Sequence, residues 1–461
     1  MPGRRAMRRT ALRWLAVVSL LALAASAEER PRYGGTLRVQ LREPVYSLDP
    51  ADGKDLTLAR QRLAFLLFDR LTKIDDKGRV QPQLAVSWSP DTERRVWRFY
   101  LRGGVTFHDG TALASAHVVS LFANDPRWQV RAGNGTQVVV FECANPIADL
   151  PAVLAGARYS IVLRGAEGVQ GTGPFKIAAW QPGRQLSLAA NLDHFEGRPY
   201  LDAVEIVMGS TLREQLIDMR LGADDIVEVD LEQTRRLSAA SQRVDAAAHN
   251  RLLALVFPSG APATRELLRA SLDRDSIHAA ILRRSGAPAA SLLPQWLTGY
   301  SLLFSGATDP ARLQKLKTDA AKAKPLYLAY DPSEPALKAV AERIAVNARD
   351  VGLTVQVFAE KNPAANTRAD VLLVTLPLGS ANPTQALVQL AEAARLEQAE
   401  LLAATGSEAL YAAEQALLAD SRLIPVAHLP APAWLSTRVR NWKLAPDGRW
   451  KLEEVWVESN K

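Results

Sequence analysis

Strand signals alternate with helical patterns along both halves of this chain, and this alternation limits the folds available to it. In the first half, apolar and polar residues alternate over Thr36–Leu41, and apolar residues then repeat at helical spacing from Leu56 to Leu67. In the second half, residues 325–358 predict a strand and a helix, and Ala369–Leu376 predicts a further strand. The pattern predicts an α/β fold whose sheets contain parallel strands.

The length of the chain predicts more than one folded body. Of the 461 residues, about 434 remain if an N-terminal export signal is removed. Single hydrophobic cores stop growing at about 250–300 residues. We therefore expect at least two lobes.

The first 27 residues have the pattern of an export signal. Five arginines precede an apolar run from Trp14 to Ala25, and the small residues Ala25–Ala27 fit a cleavage site. The mature chain is expected to begin near Glu28. An uncleaved anchor is the alternative, although the apolar run is shorter than the ~20 residues of a membrane-spanning helix. The pair Arg8–Arg9 leaves the twin-arginine export route open as well.

Charge, cysteine and histidine content argue against several classes of site. The chain has 56 Lys and Arg residues against 49 Asp and Glu residues, so removing the five signal arginines leaves a net charge of +2. This balance gives no indication of a nucleic-acid partner. Cys143 is the only cysteine, which excludes an intrachain disulfide, a cysteine zinc site and an N-terminal lipid anchor. The six histidines lack metal-site spacing, so we expect no metal and no cofactor.

Several motifs follow one another in a fixed order. Residues 33–111 contain YGGTLRVQ, SLDP, LLFDRLTKID, GRVQPQLAVSW and WRFYLRGGVTFHDGT; GTGPFKI follows at 171–177 and TRELLRASLDRDSIHAAILRRSGAPA at 264–289. In this order and spacing the chain resembles the family 5 extracellular solute-binding proteins, the periplasmic receptors of ABC importers for peptides, nickel complexes and related solutes. The resemblance covers most of the mature chain.

The resemblance implies a two-lobed α/β fold of the large periplasmic-binding-protein type. Residues 28–248 and 427–461 would form the first lobe, with a small strand-rich subdomain at 61–164, and residues 249–426 would form the second lobe. The stretch between FHDGT and GTGPF is short for the family, so we expect a trimmed subdomain. Because the chain would cross twice between the lobes, a hinge and a cleft that closes on a ligand are expected.

The resemblance also indicates where a ligand would bind. A receptor cleft needs apolar and aromatic walls with a few polar groups. The candidate ligand-binding residues are Tyr46, Phe257, Trp296, Tyr300, Ser380, Asn382 and Trp434. Each also has a structural interpretation, because large aromatic side chains mostly lie in protein cores. No catalytic residue is expected, and His108–Asp109 is interpreted as part of a structural turn.

The chemistry of the ligand stays open between two alternatives. A charged α-amino group needs a carboxylate partner in a closed cleft, because an unpaired buried ammonium is costly. The region that commonly supplies this acid in peptide receptors here offers Ser380 and Asn382, which favours a neutral, blocked or anionic small solute. In the alternative, an acid such as Glu43 or Asp331 reaches the same position and the protein binds peptides.

The leading interpretation is a monomeric periplasmic receptor that binds a small-molecule or peptide ligand and delivers it to the permease subunits of an ABC importer. Two other classes stay open: a ligand-sensing or degenerate binding module, and a periplasmic hydrolase whose carboxylates are brought together by folding. The sequence lacks the nucleophile, zinc-hydrolase and phosphate-loop motifs that would favour an enzyme.

Overall fold

The computed structural model describes residues 30–458, apart from 53–56, 167, 247–248, 306–308, 321–322 and 362–367. The expected export signal, residues 1–27, lies outside the described residues. Within the part described, no helix is both long enough and apolar enough to cross a membrane. Two large mixed sheets with flanking helices form two lobes.

The strands and helices alternate along the whole described chain. The strands are β1 (Thr36–Leu41), β2 (Thr72–Ile74), β3 (Val80–Pro82), β4 (Ala85–Pro90), β5 (Val96–Leu101), β6 (Trp128–Ala132), β7 (Val138–Cys143), β8 (Leu163–Gly165), β9 (Gly168–Gln170), β10 (Phe175–Gln181), β11 (Gln185–Ala190), β12 (Ala203–Met208), β13 (Ile226–Glu228), β14 (Val244–Asp245), β15 (Arg251–Val256), β16 (Ala287–Pro288), β17 (Leu326–Tyr330), β18 (Val355–Ala359), β19 (Val371–Pro377), β20 (Leu423–Leu429), β21 (Ala433–Leu435), β22 (Val439–Arg440) and β23 (Trp456–Val457). The α-helices are α1 (Leu58–Leu67), α2 (Ser115–Phe122), α3 (Leu150–Leu154), α4 (Leu212–Arg220), α5 (Leu231–Ala239), α6 (Pro262–Ser271), α7 (Arg274–Ser276), α8 (Gln295–Thr298), α9 (Pro310–Asp319), α10 (Pro335–Asp350), α11 (Pro383–Ala393), α12 (Ala399–Ala403) and α13 (Gly406–Ala419).

The first lobe is built on a seven-stranded sheet in the order β10-β11-β12-β1-β13-β21-β14. Its central strand, β1, pairs in parallel with β12 and β13. The alternating residues Leu37, Val39 and Leu41 are fully buried and pack in one cluster with Leu63 and Leu66 of α1. Each such side chain contributes about 1.5–3 kcal/mol on burial, so this alternation fixes which face of β1 meets the helix.

The second lobe is built on a six-stranded sheet in the order β16-β20-β15-β19-β17-β18. Every residue of β20 is buried, as expected for a strand covered on both faces. The return boundary predicted between residues 426 and 427 lies inside β20, which pairs with β15 up to Leu429. The chain joins the seven-stranded sheet only at Ala433. The lobe boundaries stay predictions.

A four-stranded antiparallel sheet, in the order β4-β5-β7-β6, forms the small subdomain. Its core is aromatic: the Phe141 ring contacts Phe99, Phe122 and Trp128 in edge-on geometry, with centroids 5.3–5.8 Å apart. Cys143 is buried here, and burial raises the pKa of its thiol to about 12. The thiol is therefore uncharged and unreactive at neutral pH.

The loop Gly171–Gly173 attaches this subdomain to the first lobe. His108 contacts the loop through both ring nitrogens: the Gly171 N–H donates to Nδ1 over 3.3 Å, and Nε2 lies 3.1 Å from the Gly173 carbonyl oxygen. This pair of bonds requires a neutral ring, and burial lowers the pKa of His108 to about 4. The FHDGT block thus has a structural role at the joint.

Gly173 is packed too closely against α1 to accept a side chain. A Cβ at this position would lie 2.5 Å from the Leu67 carbonyl carbon, a backbone atom that cannot move independently. We expect Gly173→Ala to lower the free energy of unfolding by about 1–3 kcal/mol in urea titrations. Gly165→Ala is the matched control, because a Cβ there has no neighbour within 4 Å. Equal losses in the two variants would contradict this expectation.

Candidate functional site

The two lobes meet at the edge where the parallel strands of the first lobe end. Ligands of open α/β sheets bind outside the carboxyl ends of such strands. Here β1 is followed by Arg42, whose N–H donates to the Glu228 carboxylate at the end of β13 over 3.0 Å. The second lobe contributes Arg251 at the start of β15 and Glu334 just before α10. We call this meeting point the interlobe junction.

Arg62 of α1 is the most deeply buried charge of the interlobe junction, with 2% of its surface exposed. Its Nη1 donates to Glu228 over 2.7 Å, its Nε donates to the Gly448 carbonyl oxygen over 3.0 Å, and its guanidinium lies 4.5 Å from the Trp450 ring centroid. Burial lowers the pKa of Arg62, and the Glu228 carboxylate opposes that shift. These contacts offset the desolvation cost of the buried cation.

Glu43 brings a second carboxylate to the interlobe junction. It lies two residues after β1 and is partly buried. Burial raises the pKa of Glu43 to about 7, and the negative charges of Glu228 and Glu334 raise it further, while Thr57 and the positive charge of Arg60 oppose the shift. Glu43 forms no ion pair with any residue that the structure describes. Its ionised form, which dominates only above about pH 7, is therefore only partly compensated by the described chain.

Glu334 supplies a third carboxylate, from the second lobe. Its Oε2 accepts a hydrogen bond from the Thr375 hydroxyl over 3.3 Å and lies 3.9 Å from Nη1 of Arg251. The Arg251 guanidinium is mainly engaged elsewhere, because its Nη2 donates to the Pro430 carbonyl oxygen over 2.7 Å. The charge of Glu334 is thus also compensated only in part. A cationic group between the lobes would be stabilised by both glutamates.

Asn250, at the crossing into the second lobe, is a buried amide beside the same junction. It is fully buried, and neither side-chain atom has a hydrogen-bond partner in the part of the chain described. Its Nδ2 would lie 2.8 Å from a Cβ on Gly448, the residue whose carbonyl oxygen binds Arg62. Leaving such an amide unbonded costs about 1–3 kcal/mol. Asn250 is therefore a candidate hydrogen-bonding group for a ligand.

Two of the residues predicted to contact a ligand lie in the protein core instead. Phe257 is 1% exposed in the second lobe's hydrophobic cluster. Trp434 is 5% exposed and packs in the first lobe with Met219 and Leu237. Aromatic side chains of this size gain most from complete burial, so they fill the core next to the crossings. Ligand contact at Phe257 and Trp434 stays a prediction.

The two polar candidates of the second lobe are used by the start of α11. Asn382 is the N-cap: its side-chain oxygen accepts the Gln385 N–H over 3.1 Å, and its amide nitrogen donates to the Gly78 carbonyl oxygen over 3.1 Å. Ser380 is 1% exposed, and its hydroxyl oxygen accepts the Asn382 N–H over 3.0 Å. Such a cap stabilises a helix by about 1 kcal/mol. Their role as hydrogen-bonding groups for a ligand stays a prediction.

Two of the remaining candidates are exposed. Tyr46 is 71% exposed, packs against Gly183 and follows Glu43 by three residues in the chain. Trp296 is 39% exposed, and its indole N–H donates to the His249 carbonyl oxygen over 3.1 Å. Trp296 and His249 both line a cavity of about 1100 Å³ on the second lobe. Ligand contact at Tyr46 and Trp296 stays a prediction.

Tyr300, the last candidate, packs in an aromatic cluster with Phe304 and Tyr411 beside buried Glu414. Glu414 Oε1 accepts the N–H groups of Leu292 and Leu293, the first over 2.6 Å. Burial raises the pKa of Glu414 to about 7, although these N–H groups and Tyr300 act in the opposite direction. The aromatic ring thus has a packing role, and its contact with a ligand stays a prediction.

The raised pKa of Glu414 predicts a pH dependence of stability. In the folded state the Glu414 carboxyl stays protonated up to about pH 7, whereas in the unfolded state it loses its proton at about pH 4.5. The stabilisation that the protonated carboxyl gives the folded state is therefore complete at low pH and is lost as the pH rises towards 7. Relative to Glu414→Gln, wild-type stability should fall by about 2 kcal/mol between pH 5.5 and 7.5. Urea unfolding of both proteins at several pH values measures the difference, and parallel pH profiles would disprove it.

The sequence pattern did not point to Arg62, Glu228, Asn250 or Glu334. One feature of the sequence could have indicated Arg62, because this arginine interrupts the apolar positions of α1. Arginines are common on the surfaces of helices, so this feature alone did not predict a buried charge. Glu228 follows two buried strand residues, Ile226 and Val227. Each feature is ordinary alone, and only their meeting at one junction makes a site.

Comparison with known proteins identifies relatives of the same general type. The sequence model of the bacterial extracellular solute-binding proteins, family 5 Middle, matches residues 79–386. The probable D,D-dipeptide-binding periplasmic protein DdpA of Escherichia coli K12 is 24% identical over 386 residues, 73% of this chain and 72% of that protein. Protein YhjP of Bacillus subtilis is 35% identical over 188 residues, which are 37% of this chain and only 32% of that protein's length.

A solved structure shares the architecture over most of the chain. It is the ABC transporter-associated periplasmic binding protein DppA from Helicobacter pylori in complex with peptide STSA, with a TM-score of 0.77 at 18% identity, covering 94% of this chain and 100% of that chain. At this identity the likeness establishes the large two-lobed periplasmic-binding-protein fold, as predicted from the sequence. Function has to be argued from the site.

Proposed function

Because this chain belongs to the bacterial extracellular solute-binding proteins, family 5, we propose that it captures a peptide-like solute with a free ammonium group between its lobes and delivers it to an ABC importer. The family consists of non-catalytic substrate-binding proteins, which removes the basis for the hydrolase alternative. In this proposal the chain acts as a monomer in the periplasm after removal of residues 1–27, without a lipid anchor.

The meeting of Glu43, Glu228 and Glu334 at the interlobe junction carries the proposal. Glu228 is paired with Arg62, Glu334 lies 3.9 Å from Nη1 of Arg251, and Glu43 forms no ion pair among the described residues. At about 4 Å and an effective dielectric constant of 20, one ion pair is worth about 4 kcal/mol before desolvation. An ammonium group here would offset the repulsion among the three carboxylates.

This arrangement favours the alternative in which Glu43 supplies the acid, in place of the neutral, blocked or anionic solute. The reason for expecting such a solute was the neutral pair Ser380 and Asn382, and both are engaged in capping α11. The other groups near the junction suit the remainder of a short peptide. Asn250 offers an amide for its backbone, and Tyr46 offers an exposed ring for a side chain.

The names of related proteins support a peptide-like class. DdpA is named as a probable D,D-dipeptide-binding protein, and the Helicobacter pylori DppA structure contains a peptide. These are properties of those proteins. For this chain, they guide the choice of ligands to be tested.

A thermal-shift experiment on the mature chain tests the proposal. A ligand that binds only the folded state raises the melting temperature by mass action. Di- and tripeptides with a free amino terminus should stabilise the protein, and their N-acetylated forms should have little effect. Equal stabilisation by free and acetylated peptides, or stabilisation only by anionic solutes, would contradict the assignment of an ammonium ligand.

A further inference from the structure

The small subdomain contacts helix α11 of the second lobe along the whole length of the helix. At the first turn, Asn382 Nδ2 donates to the Gly78 carbonyl oxygen over 3.1 Å, and a Cβ on Gly78 would lie 2.5 Å from the Ala381 carbonyl oxygen. Further along, a Cβ on Gly156 would lie 2.6 Å from Nε2 of Gln385. We call this contact, between residues 72–161 and residues 381–402, the seam.

Glu392, in the last turn of α11, is the centre of the polar contacts in the seam. Its Oε1 accepts hydrogen bonds from Arg127 Nη1 and from the Tyr159 hydroxyl, both over 3.1 Å. Its Oε2 lies 3.8 Å from Nη1 of Arg158. Within the described part of the chain, these two arginines form the ion pairs that cross the seam, and both pairs end on Glu392.

The bonds around Glu392 are shielded from solvent and supported by their surroundings. The side chains of Glu392 and Arg127 are 15% and 23% exposed. Arg127 is held in place by Asp125, 2.6 Å from its Nη2, and by the Trp128 ring. Charge-assisted hydrogen bonds in such partly buried positions are stronger than surface pairs.

The subdomain is also fixed to the first lobe, so a hinge motion has to separate the seam. Asp69 Oδ2 accepts a hydrogen bond from the Thr172 hydroxyl over 2.8 Å and lies 3.4 Å from Nε2 of His194. Two chain connections and these buried bonds join subdomain and first lobe. No covalent connection crosses the seam, because residues 72–161 and 381–402 are distant in the chain. The seam also holds apolar contacts, since Val153 and Leu154 of the subdomain lie in one buried cluster with Leu387 of α11.

We propose that Glu392 is a positioning residue for ligand capture, which holds the ligand-free protein in its closed arrangement through Arg127, Tyr159 and Arg158. This inference rests on the proposed capture of a solute between the lobes. Apparent affinity scales with the fraction of ligand-free molecules in the binding-competent state, which here is the closed arrangement. Loss of the Glu392 carboxylate should raise the ratio of open to closed molecules about tenfold, a change expected for charge-assisted hydrogen bonds of this kind.

Distance measurement between spin labels tests this inference without any ligand. The labels are attached at Leu221→Cys in the first lobe and Val346→Cys in the second, since both native residues are exposed. Buried Cys143 remains unlabelled because its thiol is 7% exposed. The ligand-free parent should show mainly the short, closed distance, and adding Glu392→Ala should raise the ratio of long-distance to short-distance molecules about tenfold.

Two further variants separate positioning from simple destabilisation. Tyr159→Phe removes only the hydroxyl bonded to Glu392 and should give a smaller shift in the same direction. Glu397→Ala removes an exposed acid just beyond α11 and should leave the distances unchanged. Circular dichroism identifies any variant that fails to fold. Identical distance distributions in folded Glu392→Ala, Glu397→Ala and parent proteins would overturn the inference, as would a fully open ligand-free parent.

Discussion

Glu43→Gln is expected to weaken binding of a tripeptide with a free amino terminus by about 100-fold. The substitution keeps the size of the side chain but removes the carboxylate proposed to meet the ligand's ammonium group. Losing one charged hydrogen-bond partner at a partly buried site costs about 1.5–3 kcal/mol, and each 1.4 kcal/mol is a factor of ten. Isothermal titration calorimetry at pH 7.5 measures the change.

The pH dependence of binding is an independent test of the role of Glu43. Because the pKa of Glu43 is raised to about 7, the ionised form becomes dominant only above that pH. Wild-type affinity for the free peptide should therefore rise between pH 6 and 8, whereas the affinity of Glu43→Gln should change little. Glu93→Gln, at an acid whose side chain is 75% exposed on the small subdomain, is the control and should behave as wild type. Wild-type affinity and pH profile in Glu43→Gln would exclude Glu43 as the ammonium partner.

Arg62→Ala is expected to lower the free energy of unfolding by about 3–5 kcal/mol. The variant leaves Glu228 without its partner at 2.7 Å and removes the bond to Gly448 and the contact with the Trp450 ring. Breaking a buried ion pair on one side costs more than the pair itself contributes, because the remaining charge is buried alone. Urea unfolding followed by circular dichroism measures the loss.

Arg235→Ala is the matched control for this prediction. Arg235 is an exposed arginine of α5, so its loss should change stability by no more than about 0.5 kcal/mol. Arg62→Lys should recover only part of the stability, since an ammonium group cannot donate to Glu228 and Gly448 in the same planar geometry. A loss below about 1 kcal/mol in Arg62→Ala would show that the interlobe junction does not depend on this cation.

Local patterns predicted several elements correctly. The alternation in Thr36–Leu41 gives β1 with the same bounds, and the helical spacing before Leu67 gives α1. Such patterns are reliable because the period of a side-chain pattern depends only on neighbouring backbone geometry. The predicted return crossing at residues 426–427 lies inside β20, because a strand that is buried at every position looks the same on either side of a lobe boundary.

The ligand candidates show where sequence reasoning stops. Phe257 and Trp434 lie close to the crossings along the chain, yet their rings point into the cores of the two lobes. Ser380 and Asn382 could form hydrogen bonds with a ligand. Instead, their side-chain oxygens accept hydrogen bonds from backbone N–H groups at the start of α11. The positions of these residues along the chain predicted that they lie near the cleft. Their contacts in the structure depend on the direction of each side chain and on the hydrogen-bond partners available to it.

The sequence by itself determined the α/β class, the two-lobed family fold and the local course of strands such as β1, because hydrophobic periodicity and ordered motifs are properties of consecutive residues. Only the tertiary structure decided which charges meet. Glu43, Glu228 and Glu334 are each more than 100 residues apart in the chain, and no local pattern couples them. Their meeting follows from the packing of two sheets against each other, and burial at that contact raises the pKa of Glu43.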